Sequence, residues 1–91
     1  MLKIIRSNRF VKDLQVAVRR GYDLEELSKV VNTLANQEKL DSKYKDHPLI
    51  GNYHDFRECH IKPDWLLIYA IDNNELELFL FRTGTHSDLF K

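Results

Sequence analysis

Residues Phe56–Arg82, FRECHIKPDWLLIYAIDNNELELFLFR, decide the fold. Three runs rich in aromatic and branched side chains, Phe56–Ile61, Trp65–Asp72 and Glu75–Arg82, are separated by Pro63 and by Asn73-Asn74. Such side chains favour the pleated, half-buried surface of a strand. Asn tolerates positive φ and suits a tight hairpin, and Pro63 falls in a turn where its missing N–H does no harm. The stretch predicts three consecutive antiparallel strands.

The simplest register makes this specific. A hairpin centred on Asn73-Asn74 sets Trp65 opposite Arg82, and one centred near Lys62-Pro63 sets His60 opposite Trp65. Opposed side chains share a face. His60, Trp65 and Arg82 then form one row, with Glu58, Leu67 and Leu80 in the next. The other face holds Cys59, Leu66, Ile68, Phe79 and Phe81, and this almost wholly apolar set is expected to pack under helices. A one-residue slip would exchange the two faces. Asp64 in the turn and His86 just past the last strand reach the same end, so one edge gathers His60, Asp64, Arg82 and His86.

Working toward the N-terminus, Leu40–Asp55 lapses into Asp, Ser, Lys, Pro, Gly and Asn and reads as a long surface loop, of a length that is usually functional. Before it, Leu2–Arg6 is a short β-prone run. Ser7 or Asn8 can cap a helix whose apolar stripe is Phe10, Val11, Leu14, Ala17 and Val18, and Gly21 ends it. Asp23 opens a second helix with Glu26 as capping-box partner and an apolar face of Leu24, Leu27, Val30, Val31, Leu34 and Ala35. The expected class is α+β, ordered β-α-α-β-β-β. An N-terminal helical hairpin packs on a mostly antiparallel sheet, and a short C-terminal tail follows with room for a helical turn.

Ninety-one residues make one domain, expected to span 1–91, and the even spread of Leu, Ile, Val and Phe implies a packed core. A lone cysteine, Cys59, excludes an internal disulfide and a Cys-pair zinc site and fits a reducing compartment. No apolar run approaches the roughly 20 residues of a membrane span and no signal-peptide pattern opens the chain, so a cytoplasmic location with no membrane partner is expected. Fourteen basic and fourteen acidic residues cancel, which argues against tight non-specific nucleic-acid binding. The charge is uneven: Lys3, Arg6, Arg9, Lys12, Arg19 and Arg20 face only Asp13 within residues 1–22. Such a run either meets phosphates or forms a solvated helix face.

The four histidines, 47, 54, 60 and 86, carry the side chain best suited to proton transfer near neutral pH. His60 and His86 share an edge with Asp64. His54, beside Tyr53, reads as a polar surface residue. His47 precedes a proline and is biased to an extended backbone. The spacing of positions 47, 60, 64 and 86 matches no compact ligand motif such as H-x-x-x-H, so no metal is expected. Taken singly, each has a bland reading: Trp65 and Phe90 as core or core-edge, Asp64 as a brace for the Pro63 turn, Arg82 as a surface charge or partner contact. Two function classes stay open at this point, an acid–base enzyme and a non-catalytic binding module.

Three stretches carry a resemblance. They are Tyr44-Lys45-Asp46-His47-Pro48-Leu49-Ile50-Gly51, His60-Ile61-Lys62-Pro63-Asp64-Trp65-Leu66-Leu67-Ile68-Tyr69, and Phe81-Arg82-Thr83-Gly84-Thr85-His86-Ser87-Asp88-Leu89-Phe90. In this order and spacing the chain resembles the YafQ branch of the RelE/ParE toxin superfamily, whose architecture is β-α-α-β-β-β. The resemblance implies a type II toxin, a ribosome-dependent endoribonuclease cutting translated messenger RNA in the A site. It implies His47, His60, Asp64 and His86 as catalytic residues, with Arg82, Phe90, Trp65 and Lys45 supporting the RNA or the transition state and no cofactor. Glu58 stands where the family often has Asp. Implied partners are a DinJ-like antitoxin, the ribosome and its message, and operator DNA only through the antitoxin. The alternative is a RelE/ParE-like module that inhibits a protein target or acts as an antitoxin-bound co-repressor.

Overall fold

A computed structural model describes residues 1–90. The elements are β1 (Lys3–Arg6), α1 (Asn8–Arg19), α2 (Leu24–Ala35), β2 (His47–Pro48), β3 (Arg57–Lys62), β4 (Trp65–Asp72), β5 (Glu77–Gly84) and α3 (His86–Leu89), with 3-10 turns at Ser42–Tyr44 and Gly51–Tyr53. The sheet runs β1-β5-β4-β3-β2, with β1 parallel to β5 and every other pair antiparallel. The class is therefore α+β, with a helical hairpin on a mostly antiparallel sheet.

Local chemistry explains the helix ends. Ser7 caps α1: its Oγ accepts the Phe10 N–H at 2.9 Å and donates to the Phe81 carbonyl at 2.6 Å, so one hydroxyl starts the helix and ties it to β5. Gly21, just past the end, takes φ +76, a left-handed conformation that glycine adopts freely. Asp23 caps α2 by accepting the Glu25 N–H. The reciprocal half of the expected capping box is absent, because the Glu26 carboxylate accepts from the Tyr44 hydroxyl at 2.8 Å instead.

The register departs from expectation. His60 pairs with Leu66 and Lys62 with Trp65, across an irregularity between His60 and Lys62. Arg82 pairs with Ile68, beyond a second irregularity between Ile68 and Tyr69. The β4–β5 connection is four residues rather than two: Asp72 pairs with Glu77, the Asp72 carboxylate accepts the Asn74 and Glu75 N–H groups, and Leu76 takes φ +54. One slipped residue in β3–β4 turns β4 and β5 over relative to β3, so Cys59 keeps its expected place under the helices while Leu66, Ile68, Phe79 and Phe81 do not. The helices cover Cys59, Ile61, Trp65, Leu67, Tyr69, Leu78 and Leu80, together with Phe10, Leu27, Val30 and Leu34. Leu66 and Ile68 lie in a second cluster with Leu89, flanked by Leu49, Phe56, Phe81 and Phe90.

The segment 40–55 is not simply loop. It contributes β2, whose pairings His47↔Glu58 and Pro48↔Arg57 add a fifth strand to the sheet. Among the described residues, no helix is long and apolar enough to cross a membrane.

Candidate functional site

The site begins with Asp46. Its carboxylate accepts from Arg57 (Nη2 at 3.0 Å, Nε at 3.3 Å) and from the Tyr69 hydroxyl at 2.5 Å. Lys45, just before it, closes the 3-10 turn in a left-handed conformation, φ +50. These contacts bend the chain back onto β3 and deliver His47 opposite Glu58. The loop thus reaches the sheet through an anchored carboxylate, and the antiparallel β2–β3 pairing holds His47 beside Glu58.

Glu58 is the centre of the arrangement. It is buried, and its Oε1 lies 3.5 Å from both His47 Nε2 and His60 Nε2, while the two rings stand 6.2 Å apart, centre to centre. The opposite nitrogens are also occupied: His47 Nδ1 is 2.7 Å from the Lys45 carbonyl and His60 Nδ1 3.2 Å from the Pro63 carbonyl. Carbonyls and carboxylates only accept, so every ring nitrogen of the two imidazoles faces an acceptor oxygen. The arrangement holds two imidazoles, the side chains best suited to proton transfer near neutral pH, against one buried carboxylate. Glu58 was not assigned from the sequence. The signal was available in the alternation Glu58-Cys59-His60, which puts Glu58 and His60 on one strand face.

The second half of the site is α3. Thr85 caps it in a reciprocal box with Asp88: the Thr85 hydroxyl accepts the Asp88 N–H and the Asp88 carboxylate accepts the Thr85 N–H. The same carboxylate holds Arg20 of the α1 end in two hydrogen bonds, 2.7 and 3.2 Å. The Arg20 guanidinium, followed by the Thr85 N–H, keeps the Asp88 carboxyl well below the usual carboxylate range. A Cβ on Gly84 would meet Asp88 Oδ2 at 2.9 Å, so any larger residue here would force the Asp88 side chain to shift. His86 follows, its ring 4.9 Å from that of Phe90, and its N–H donates to Asp64 Oδ1 at 3.3 Å.

One turn thus braces both histidines, since Pro63 receives the His60 ring and Asp64 the His86 backbone. Across the strands His60 pairs with Leu66 and Leu66 with Gly84, so the two histidine-bearing chain ends lie about two strand spacings, ~10 Å, apart. Of the expected gathering of His60, Asp64, Arg82 and His86, the first, second and fourth meet around the Pro63-Asp64 turn, whereas Arg82 turns to Asp13 of α1; the register that suggested the gathering does not hold. Asp64 reaches backbone rather than an imidazole.

The supporting residues divide. Trp65 is a core residue, buried against Tyr22 at 4.8 Å, with its Nε1–H donated to Thr83 Oγ1 at 2.9 Å. Arg82 is spent on Asp13 of α1, with Nε at 2.8 Å and Nη2 at 3.1 Å; the same carboxylate accepts the Thr83 N–H. Phe90 is half-buried beside His86 and Tyr53, at the end of an aromatic surface with Phe56, Phe79 and Phe81. Lys45 is exposed. His54 stays on the surface, with Asp55 as its neighbour.

Residues 2–91 match the family described as bacterial toxin of type II toxin-antitoxin system, YafQ. The chain is 39% identical over 85 residues to the mRNA interferase toxin YafQ of Escherichia coli K12, covering 92% of this chain and 90% of that protein. It superposes on a metal-bound toxin from Helicobacter pylori with a TM-score of 0.94 at 56% identity, over 99% of this chain and 100% of the other. The toxin in the E. coli DinJ-YafQ complex matches with a TM-score of 0.90 at 37% identity, over the full length of both chains. Among the described residues here, no group of three or more His, Cys, Asp or Glu side chains is placed to hold a metal ion.

Proposed function

The chain belongs to the YafQ family of type II toxins, and on that premise we propose that it is an endoribonuclease, an mRNA interferase restrained by a DinJ-like antitoxin. The observation that carries this reading is the Glu58-bridged pair His47 and His60, braced through one turn to the helix that begins at His86 and is followed by Phe90. RNA supplies its own nucleophile. A base takes the 2′-OH proton, O2′ attacks the adjacent phosphorus, the P–O5′ bond breaks, and an acid protonates the departing oxygen. The products are a 2′,3′-cyclic phosphate and a 5′-hydroxyl. General base and general acid each contribute on the order of 10²–10⁴-fold, and fixed positive charge stabilises the phosphorane-like transition state.

We assign proton transfer to His60 and His86, with His47 coupled to His60 through Glu58. Asp64 sets the start of α3, and Phe90 packs the His86 ring. Arg82 could face substrate only by abandoning Asp13, so its role here is to hold α1 on β5. The substrate is a translated message in the ribosomal A site, where the ribosome presents the strand to a chain of zero net charge, which places the protein in the cytoplasm. Operator DNA is reached only through the antitoxin.

Expression without antitoxin is expected to arrest growth, and primer extension on a translated message to show new 5′ ends. His60→Ala and His86→Ala should each lower cleavage by about 10²-fold or more while remaining folded. If both variants stay fully toxic, the histidine mechanism is wrong. Arrest with intact ribosome-bound message would instead identify a non-catalytic inhibitor of a protein target.

A further inference from the structure

Zero net charge conceals a local concentration of lysine beside the site. β2 covers only Arg57 and Glu58 of β3; beyond them a cleft of about 320 Å³ opens between the 3-10 turn at Ser42–Tyr44 and the end of β3. Lys43, Lys45 and Lys62 line it, and His60 forms part of its wall. All three lysines are exposed, and none makes a side-chain hydrogen bond or ion pair among the described residues. The Lys43 ammonium stands 5.1 Å from the centre of the Tyr44 ring. Lys45 is placed by its left-handed backbone, and its carbonyl receives the His47 ring.

The acid in the lining, Glu26, is already occupied. It accepts the Tyr44 hydroxyl at 2.8 Å and has Lys29 at 4.0 Å. The Tyr44 hydrogen bond first, and then Lys62, Lys29 and Lys43, hold its carboxyl below the usual range. The cleft therefore presents three ammonium groups without a hydrogen bond or ion pair beside one satisfied carboxylate, and it shares the His60 ring with the Glu58-bridged pair. Lysines act as point charges on flexible stems, without the planar fork that reads a particular group. That chemistry suits the sequence-independent part of nucleic-acid recognition, contact with phosphates that positions the strand.

We propose that the Lys43–Lys45–Lys62 cleft is the subsite for RNA phosphodiesters next to the scissile linkage, so that the chain grips a polyanion by local rather than net charge. This rests on the ribonuclease reading above and extends it to the track the strand follows.

The test is fluorescence-anisotropy titration of a labelled 2′-O-methyl oligoribonucleotide, which cannot be cleaved, over a range of salt concentrations. Each phosphate neutralised on a single strand contributes about −0.7 to the slope of log K against log salt. Replacing the three lysines by Gln is expected to make that slope shallower by about 2, and replacing them by Arg to restore it, with melting temperatures confirming intact folding. A Gln variant with the parent slope, or a parent chain that does not bind the oligonucleotide, overturns the proposal. So does a variant that keeps its RNA slope but loses binding to poly-glutamate, which would assign the cleft to an acidic peptide. A slope that falls as expected in a protein that leaves translated messages intact would keep the subsite and sink the nuclease reading instead.

Discussion

Asp64 illustrates how a residue's role follows from what it touches. Its carboxylate accepts the His86 N–H, an interaction that needs an oxygen acceptor but neither a proton nor a charge. Asp64→Asn keeps that acceptor and is expected to retain cleavage within about tenfold, whereas Asp64→Ala frees the start of α3 and loses more. Were Asp64 a proton donor or acceptor in the reaction, Asn would cost on the order of 10²–10⁴-fold. Single-turnover cleavage rates for the two variants decide between these roles. Glu58 is different, because its partners are two imidazoles rather than a backbone amide.

At the scale of elements, α3 is four residues long and cannot stand on helix propensity alone. It is held by Arg20 from the far end of α1 and by its own capping box, both through Asp88. A carboxyl held below its unfolded value, about 3.9 for Asp, stabilises the fold fully above that value. The contribution drains away as pH falls through the folded value. Asp88→Ala should therefore lower the melting temperature at pH 7, and the gap from the parent should close as the pH is taken below about 4. Losing the capping component is worth on the order of 1 kcal/mol, or about 4–8 °C in a domain of this size. Melts across the pH range measure it. A gap that persists unchanged in acid would mean that Asp88 acts through packing, not charge.

For the molecule as a whole, the α+β class, the strand stretches, the Ser7 cap and the turn at Gly21 were legible because each rests on local chemistry. The sheet faces were not. Trp65, Leu66, Leu67, Ile68 and Tyr69 are all buried, so no alternation along β4 says which side faces the helices. The hairpin length was hidden by the Asp72 side chain, which builds a four-residue turn. His47 was legible only by resemblance, since its place depends on Asp46 meeting Arg57 and Tyr69, contacts that span 11 and 23 residues. Cys59 gives a global readout of the resulting core. It is fully buried, and burial, followed by Asp46 and Glu58, pushes its thiol up to about 12. The thiolate is the reactive form, so iodoacetamide at pH 8 should leave the native protein unlabelled. In a urea series, intact-mass labelling should rise in step with loss of the circular-dichroism signal. Rapid labelling without denaturant would show that the core opens locally at β3.

Gly84 carries a consequence in genetics. Every missense change at a glycine codon adds a Cβ, and at this position that atom would press on the Asp88 carboxylate that holds α3 to α1. Bacteria forced to make this toxin without its antidote survive by mutating it. Among their escape alleles, codon 84 is expected to recur beside the histidine codons, as lesions that leave a soluble, abundant and harmless protein.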